Sequence, residues 1–139
     1  MTGPITIETH VPVPPATAWQ AFTSPDAITQ WNFASPQWCC PSAQVDLRVG
    51  GTHNARMQAR DGSAGFDFAG TYDEVDPERA LTLRLDDGRR ARTTFERQAD
   101  GTRVRTVFDP DLAHPAAMQR DGWQAILDNY AAYVRGNAA

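Results

Sequence analysis

Two adjacent thiols, Cys39 and Cys40, three histidines at positions 10, 53 and 114, and a scatter of arginines are the side chains of this sequence best able to react or ionise. The cysteines are the only two in the chain, and a disulfide between sequence neighbours would be strained, so no covalent framework is expected. They lack the two-residue spacing of a metal knuckle, and with three histidines in all no metal site is expected. Cys40 reads as a nucleophile or, more plainly, as a small buried residue in a packed loop, since free cysteine is among the most buried residue types. His53 alternates with Met57 on one strand face. Turned inward, it would either take a hydrogen bond at a strand end or act as general acid or base on a bound ligand. His10 and His114 have no partner legible in sequence and receive no role. Without a nucleophile–base pair or a phosphate-binding loop, no catalytic residue and no cofactor are expected.

The aromatic residues form a second class of candidates. Trp31 and Trp38 flank a proline-rich segment, Phe66, Phe68 and Tyr72 alternate along one strand, and Trp123 begins the apolar stripe of the last helix. Rings on faces that converge beneath one helix belong either to a core or to a lined pocket. The candidate ligand contacts are therefore Trp31, Trp38, Cys40, His53, Met57, Phe66, Phe68, Tyr72 and Trp123. Gly122, inside the last helix, marks either close packing against a strand or room for a ligand beside Trp123. Arg48, Arg56, Arg92, Arg103 and Arg105 fall mostly opposite the apolar faces and read as an outer, solvated surface. Arg105 and Asp46 would face inward only if a bulge shifted the register by one residue.

The elements that must position these groups follow from periodicity. Ile5, Ile7 and Thr9 alternate with polar neighbours and predict an edge strand ended by Pro12 and Pro14. Pro15 opens a short helix to Thr23, and Ser24-Pro25 opens another to about Trp31. Pro36 and Pro41 predict a loop over residues 32–44, and Val45, Leu47 and Val49 predict a strand up to Gly50-Gly51. Hairpin turns at Asp61-Gly62, Asp76-Pro77, Asp87-Gly88 and Asp100-Gly101 then separate five more strands, with His53, Ala55 and Met57, then Phe66, Phe68 and Tyr72, then Leu81, Leu83 and Leu85, then Ala91, Thr93 and Phe95, then Val104, Thr106 and Phe108 on one face. Residues 115–135 predict a long amphipathic helix, its stripe Trp123, Ile126, Leu127, Tyr130 and Val134, with Pro115 in its first turn and Gly136 as its stop. The expected fold class is α+β, one domain over residues 1–139, in which a curved antiparallel meander of about seven strands wraps the C-terminal helix and encloses a cavity. A net charge of −4 with no basic run gives no footprint for nucleic acid or anionic lipid, and no apolar stretch or leader pattern suggests a membrane, so a cytoplasmic location is expected. A homodimer is left open.

The opening segment VPVPPATAWQAFTSPDAITQW, the double-glycine turn, GTYDEVDPERALTLRL, the strand pair FERQADGTRVRTVFD and DGWQAILDNYAAYV together resemble the SRPBCC superfamily of START-like, helix-grip proteins. More closely they resemble single-domain bacterial relatives of the heat-shock ATPase activator homologue family, over residues 5–134. In those relatives a His-Cys pair often stands at the positions of Cys39 and Cys40. The resemblance implies a cavity for a small hydrophobic or aromatic molecule between sheet and C-terminal helix. It leaves three functions to weigh: a binding or transport protein for such a ligand, an enzyme of the polyketide cyclase or dehydratase type, and an interaction module that stimulates an ATPase. The first is the expectation carried forward.

Overall fold

A computed structural model describes residues 3–137 of the chain. The elements run β1 (Ile5–Val11), α1 (Pro15–Thr23), α2 (Pro25–Trp31), β2 (Trp38–Val45), β3 (Thr52–Ala59), β4 (Gly65–Asp76), β5 (Ala80–Leu85), β6 (Arg90–Gln98), β7 (Gly101–Phe108) and α3 (Ala116–Asn137). The strands form one curled, fully antiparallel sheet in the order β1-β7-β6-β5-β4-β3-β2. From β2 to β7 it is a meander, in which each short turn sets a strand beside its predecessor. Only β1 is out of sequence, added outside β7 as the predicted edge strand.

Three boundaries differ from the sequence expectation. Residues 38–44 are strand rather than loop, and residues 46–49 have left the sheet rather than continuing the strand, which leaves Val49 64 % exposed. Pro41 is tolerated because β2 is an edge strand and the ladder shifts register between Cys39 and Ser42, where no bond is asked of its missing N–H. Helix α3 begins one residue after Pro115, whose carbonyl accepts from the Gln119 amide, and it continues through Gly136.

The sheet curls where side chains are absent. At Gly70 on the concave face a Cβ would lie 2.5 Å from the Arg84 carbonyl oxygen, so only glycine lets β4 approach β5 this closely. On the convex face Arg92 pairs with Glu74 at 2.9 Å and Arg105 with Glu8 at 3.0 Å, while in the loop after β2 Arg48 pairs with Asp46 at 2.9 Å. Arg105 does not turn inward, because the bulges lie in β2 and β4 and leave β7 in register, and Asp46, beyond the end of β2, is exposed and paired with Arg48.

Helix α3 is anchored by its C-terminal half. Tyr130 has no solvent exposure, its hydroxyl donates to the Ala18 carbonyl at 2.7 Å, and its ring meets Phe22 and Trp31 edge-on at 5.3 and 5.2 Å. Phe95 of the sheet joins the cluster through Phe22 and Trp19. Further along, the Gln124 amide donates to the Glu8 carbonyl and Arg135 to the His10 carbonyl, so α3 also caps the free edge of β1 that would otherwise invite pairing.

Replacing Tyr130 by phenylalanine removes one buried hydrogen bond and no packing, and should lower stability by about 1 kcal/mol. The urea midpoint should fall with the m value unchanged; an unchanged midpoint would show that the Ala18 bond is not holding the helix. At Gly122 a Cβ meets nothing within 4 Å, so the glycine is not there for close packing. Gly122→Ala should therefore raise stability by roughly 0.5–1 kcal/mol through helix propensity, measured by the same denaturation.

Candidate functional site

The curl that grips the C-terminal half of α3 stands off from its N-terminal half. Between them lies a cavity of ≈ 320 Å³, within the range of small-molecule sites. Its closed end is built by Phe22, Ile28 and Trp31 from α1 and α2, with Trp31 fixed through a bond from its indole nitrogen to the Ala21 carbonyl at 3.0 Å. Its floor is Leu81 and Leu83 of β5, Ala91 and Thr93 of β6, and Ile7 and Thr106 of β1 and β7. Trp123, Ile126 and Leu127 of α3 form the roof, and Met57, Phe66 and Phe68 the side towards solvent, where Phe66 is 49 % exposed.

Seven of the nine residues singled out in the sequence line this space: Trp31, His53, Met57, Phe66, Phe68, Tyr72 and Trp123. Strand parity brings them together, since β3 and β4 pair Ala55 with Phe68 and Met57 with Phe66, so their inward faces coincide. Trp123 is held by stacking on Phe108 at 4.0 Å and by an edge contact with Phe68 at 5.9 Å. Trp38 and Cys40 are not brought into the lining. Trp38 packs beside Phe66 at 6.0 Å, and the Cys40 thiol, in the β2 bulge, donates to the Ser42 carbonyl at 3.5 Å. Burial pushes that thiol's pKa up, which keeps it protonated and a poor nucleophile. Gly122 is also outside the lining.

The polar groups of the wall are few. The hydroxyls of Thr93 and Thr106 share a hydrogen bond at 2.7 Å, and both residues carried the inward parity in sequence without being marked as site residues. Asn32 follows α2 and lies beside the Cys40 thiol. Arg89 is the only charged side chain in the lining, and its Nε–H donates to Asp87 at 2.7 Å. It sits in the β5–β6 hairpin, where no periodicity could have announced it. His53 Nδ1 lies 3.0 Å from the Tyr72 hydroxyl, with Phe68 against the imidazole at 6.1 Å. Burial lowers the His53 pKa to about 4 and raises that of Tyr72 well above its ordinary value, so both groups are neutral at physiological pH. Among the described residues no group of three or more His, Cys, Asp or Glu is placed to share a metal ion, and no helix is long and apolar enough to cross a membrane.

Below about pH 6.5 an unfolded chain binds a proton at its histidines, whereas folded His53 binds one only near pH 4. Stability present at neutral pH is therefore lost as pH falls from 6.5 toward 4. In urea denaturation at pH 7.5 and pH 5, the wild type should lose about 1–2 kcal/mol more between the two than His53→Gln. Equal losses would mean that the imidazole is solvated in the folded state.

Comparison with known proteins agrees with this architecture. The sequence profile of the family described as "Activator of Hsp90 ATPase homolog 1-like protein" matches residues 12–135. The solution structure of an AHSA1-like protein from Aeromonas hydrophila is 41% identical, with a TM-score of 0.93 over 98% of this chain and 94% of that one. A solution structure from Cytophaga hutchinsonii is 38% identical, with a TM-score of 0.82 over 97% of this chain and 94% of that one. A crystal structure from Chromobacterium violaceum is 25% identical, with a TM-score of 0.84 over 96% of this chain and 99% of that one. A comparison with curated proteins finds no significant match. With the profile spanning residues 12–135 and relatives this similar over almost their whole length, the chain belongs to the AHSA1-like family of helix-grip, SRPBCC-type proteins.

Proposed function

We propose that this protein binds a small hydrophobic or aromatic molecule in the cavity under α3 and acts in the cytoplasm as its carrier or sensor. The observation that carries this reading is the lining itself: mostly aromatic and aliphatic walls, a half-exposed Phe66 at the side towards solvent, and few polar groups, the neutral His53–Tyr72 pair among them. A ligand of that class gains about 25 cal/mol for each Å² of apolar surface taken from water, and the few polar groups set its orientation.

The same pair is what would recommend an enzyme of the polyketide cyclase or dehydratase type, with His53 and Tyr72 moving a proton. Their pKa values argue for holding rather than transfer. A general acid or base works best with a pKa near the working pH, and burial moves His53 down to about 4 and Tyr72 up, both away from neutrality. The ATPase-activating role carried in the family's name would use an outer surface and leaves the apolar interior without a purpose.

The test uses N-phenyl-1-naphthylamine, an uncharged fluorophore whose emission rises in apolar surroundings. Its emission should rise and saturate at one molecule per chain. Ala91→Leu, which adds bulk to the floor, should weaken binding at least about tenfold, a loss of roughly 1.4 kcal/mol. Circular dichroism checks that the variant keeps its fold. No saturable rise in the wild type, or equal affinity in a folded Ala91→Leu, would overturn the reading.

A further inference from the structure

We infer that the cavity selects an uncharged ligand bearing a hydroxyl or carbonyl group, which the His53–Tyr72 pair holds as a phenol or ketone would be held. This deepens the binding reading above and rests on it. The other polar groups of the wall have little left to give. Thr93 and Thr106 are turned to each other at 2.7 Å and are both buried, so the one hydroxyl proton that their bond leaves over is enclosed with them. Asn32 is turned to the Cys40 thiol. Arg89 spends its Nε–H on Asp87 at 2.7 Å, and the groove beside it is lined by Asp87, Asp109 and Asp111. An anion drawn to the guanidinium would thus meet three carboxylates, which makes Arg89 a poor anchor for an acidic ligand.

The His53–Tyr72 pair is different. A neutral imidazole has one N–H and one bare nitrogen, and a phenol has one O–H and two lone pairs. Their mutual bond at 3.0 Å uses one hydrogen and one acceptor. If Tyr72 donates to Nδ1, the proton left over is on Nε2; if Nδ1–H donates to Tyr72, the proton left over is on the phenol oxygen. In either tautomer the pair keeps one donor and at least one acceptor. Among the described residues His53 Nε2 has no protein partner and no fully buried side-chain nitrogen or oxygen lacks one, so this edge of the ring is accessible on a residue that lines the cavity.

A group that can both donate and accept, held in apolar walls, matches a hydroxyl in either tautomer and a carbonyl through the remaining donor. It matches a carboxylate badly. The single remaining hydrogen would have to offset the desolvation of a full charge, and His53 resists becoming the counter-ion because its walls already favour the neutral ring.

Displacement of N-phenyl-1-naphthylamine at pH 7.5 by naphthalene, 2-naphthol and 2-naphthoate tests this with one ring system and three head groups. The expected order is 2-naphthol tightest, by about tenfold over naphthalene, with 2-naphthoate weakest. In the double variant His53→Phe, Tyr72→Phe, which leaves neither donor nor acceptor at the pair, the ratio of naphthol to naphthalene affinity should fall towards one. If that variant does not fold, the wild-type series decides alone. Equal affinities for naphthol and naphthalene, or a naphthoate that binds as well as naphthol, would overturn the inference while leaving the cavity a binding site. If the fluorophore itself fails to bind, the binding reading falls and this one with it.

Discussion

The Tyr130 hydroxyl, donating at 2.7 Å to the Ala18 carbonyl where no solvent reaches, ties the C-terminal half of α3 to α1, and the aromatic cluster around it carries α2 and the sheet into the same knot. A single long helix is stiff, so fixing one half of it fixes the direction of the other. The curled sheet cannot follow a straight helix along its whole length. It closes on α3 at Tyr130, Ala131 and Val134, all buried, and parts from it near Trp123 and Ile126, which are half-buried. The cavity is the consequence of that mismatch rather than of any residue missing from a core.

The chemistry of the cavity follows from the same geometry. Walls assembled from β3, β4 and α3 remove water from whatever they enclose, and the two ionisable groups they enclose respond by becoming neutral: burial lowers the pKa of His53 and raises that of Tyr72. Charge is kept on the other face of the sheet. There Arg84 and Arg90 share Asp73 and Arg92 takes Glu74, pairs exposed enough that each contributes little to stability. They keep the convex surface soluble, and the cross-strand pairs match strand to strand. One sheet thereby separates a charged exterior from a mostly apolar interior, through the alternation of side chains along each strand.

Alternation and helical period are local properties of a chain, which is why most of this architecture was readable in advance. The inward parity of His53, Met57, Phe66, Phe68 and Tyr72, the stripe on α3, the order of the hairpins and the edge position of β1 all rest on a repeat of two or of 3.6 residues and on turn residues at its ends. Where the local rule has an exception, periodicity misleads. Pro41 speaks against a strand unless the strand lies at an edge and bulges, and both conditions are set by the partner β3 rather than by the residues around the proline. Of the sequence's site candidates, Trp38 lies beside Phe66 and outside the lining, and Cys40 lies in the β2 bulge with its thiol on the Ser42 carbonyl.

The sequence by itself thus determined which residues face inward, because the period of a strand or helix is built into the backbone. Tertiary structure alone decided which inward residues meet one another and which meet empty space. Thr93 and Thr106, alike in parity to their neighbours, are buried against each other across β6 and β7, whereas His53, bonded to Tyr72 across β3 and β4, is only partly buried. Arg89 reaches the wall from a turn that has no period at all. Such contacts depend on the distance between strands after the sheet has curled around α3, and that distance is a property of the whole packed chain, written in no single segment of it.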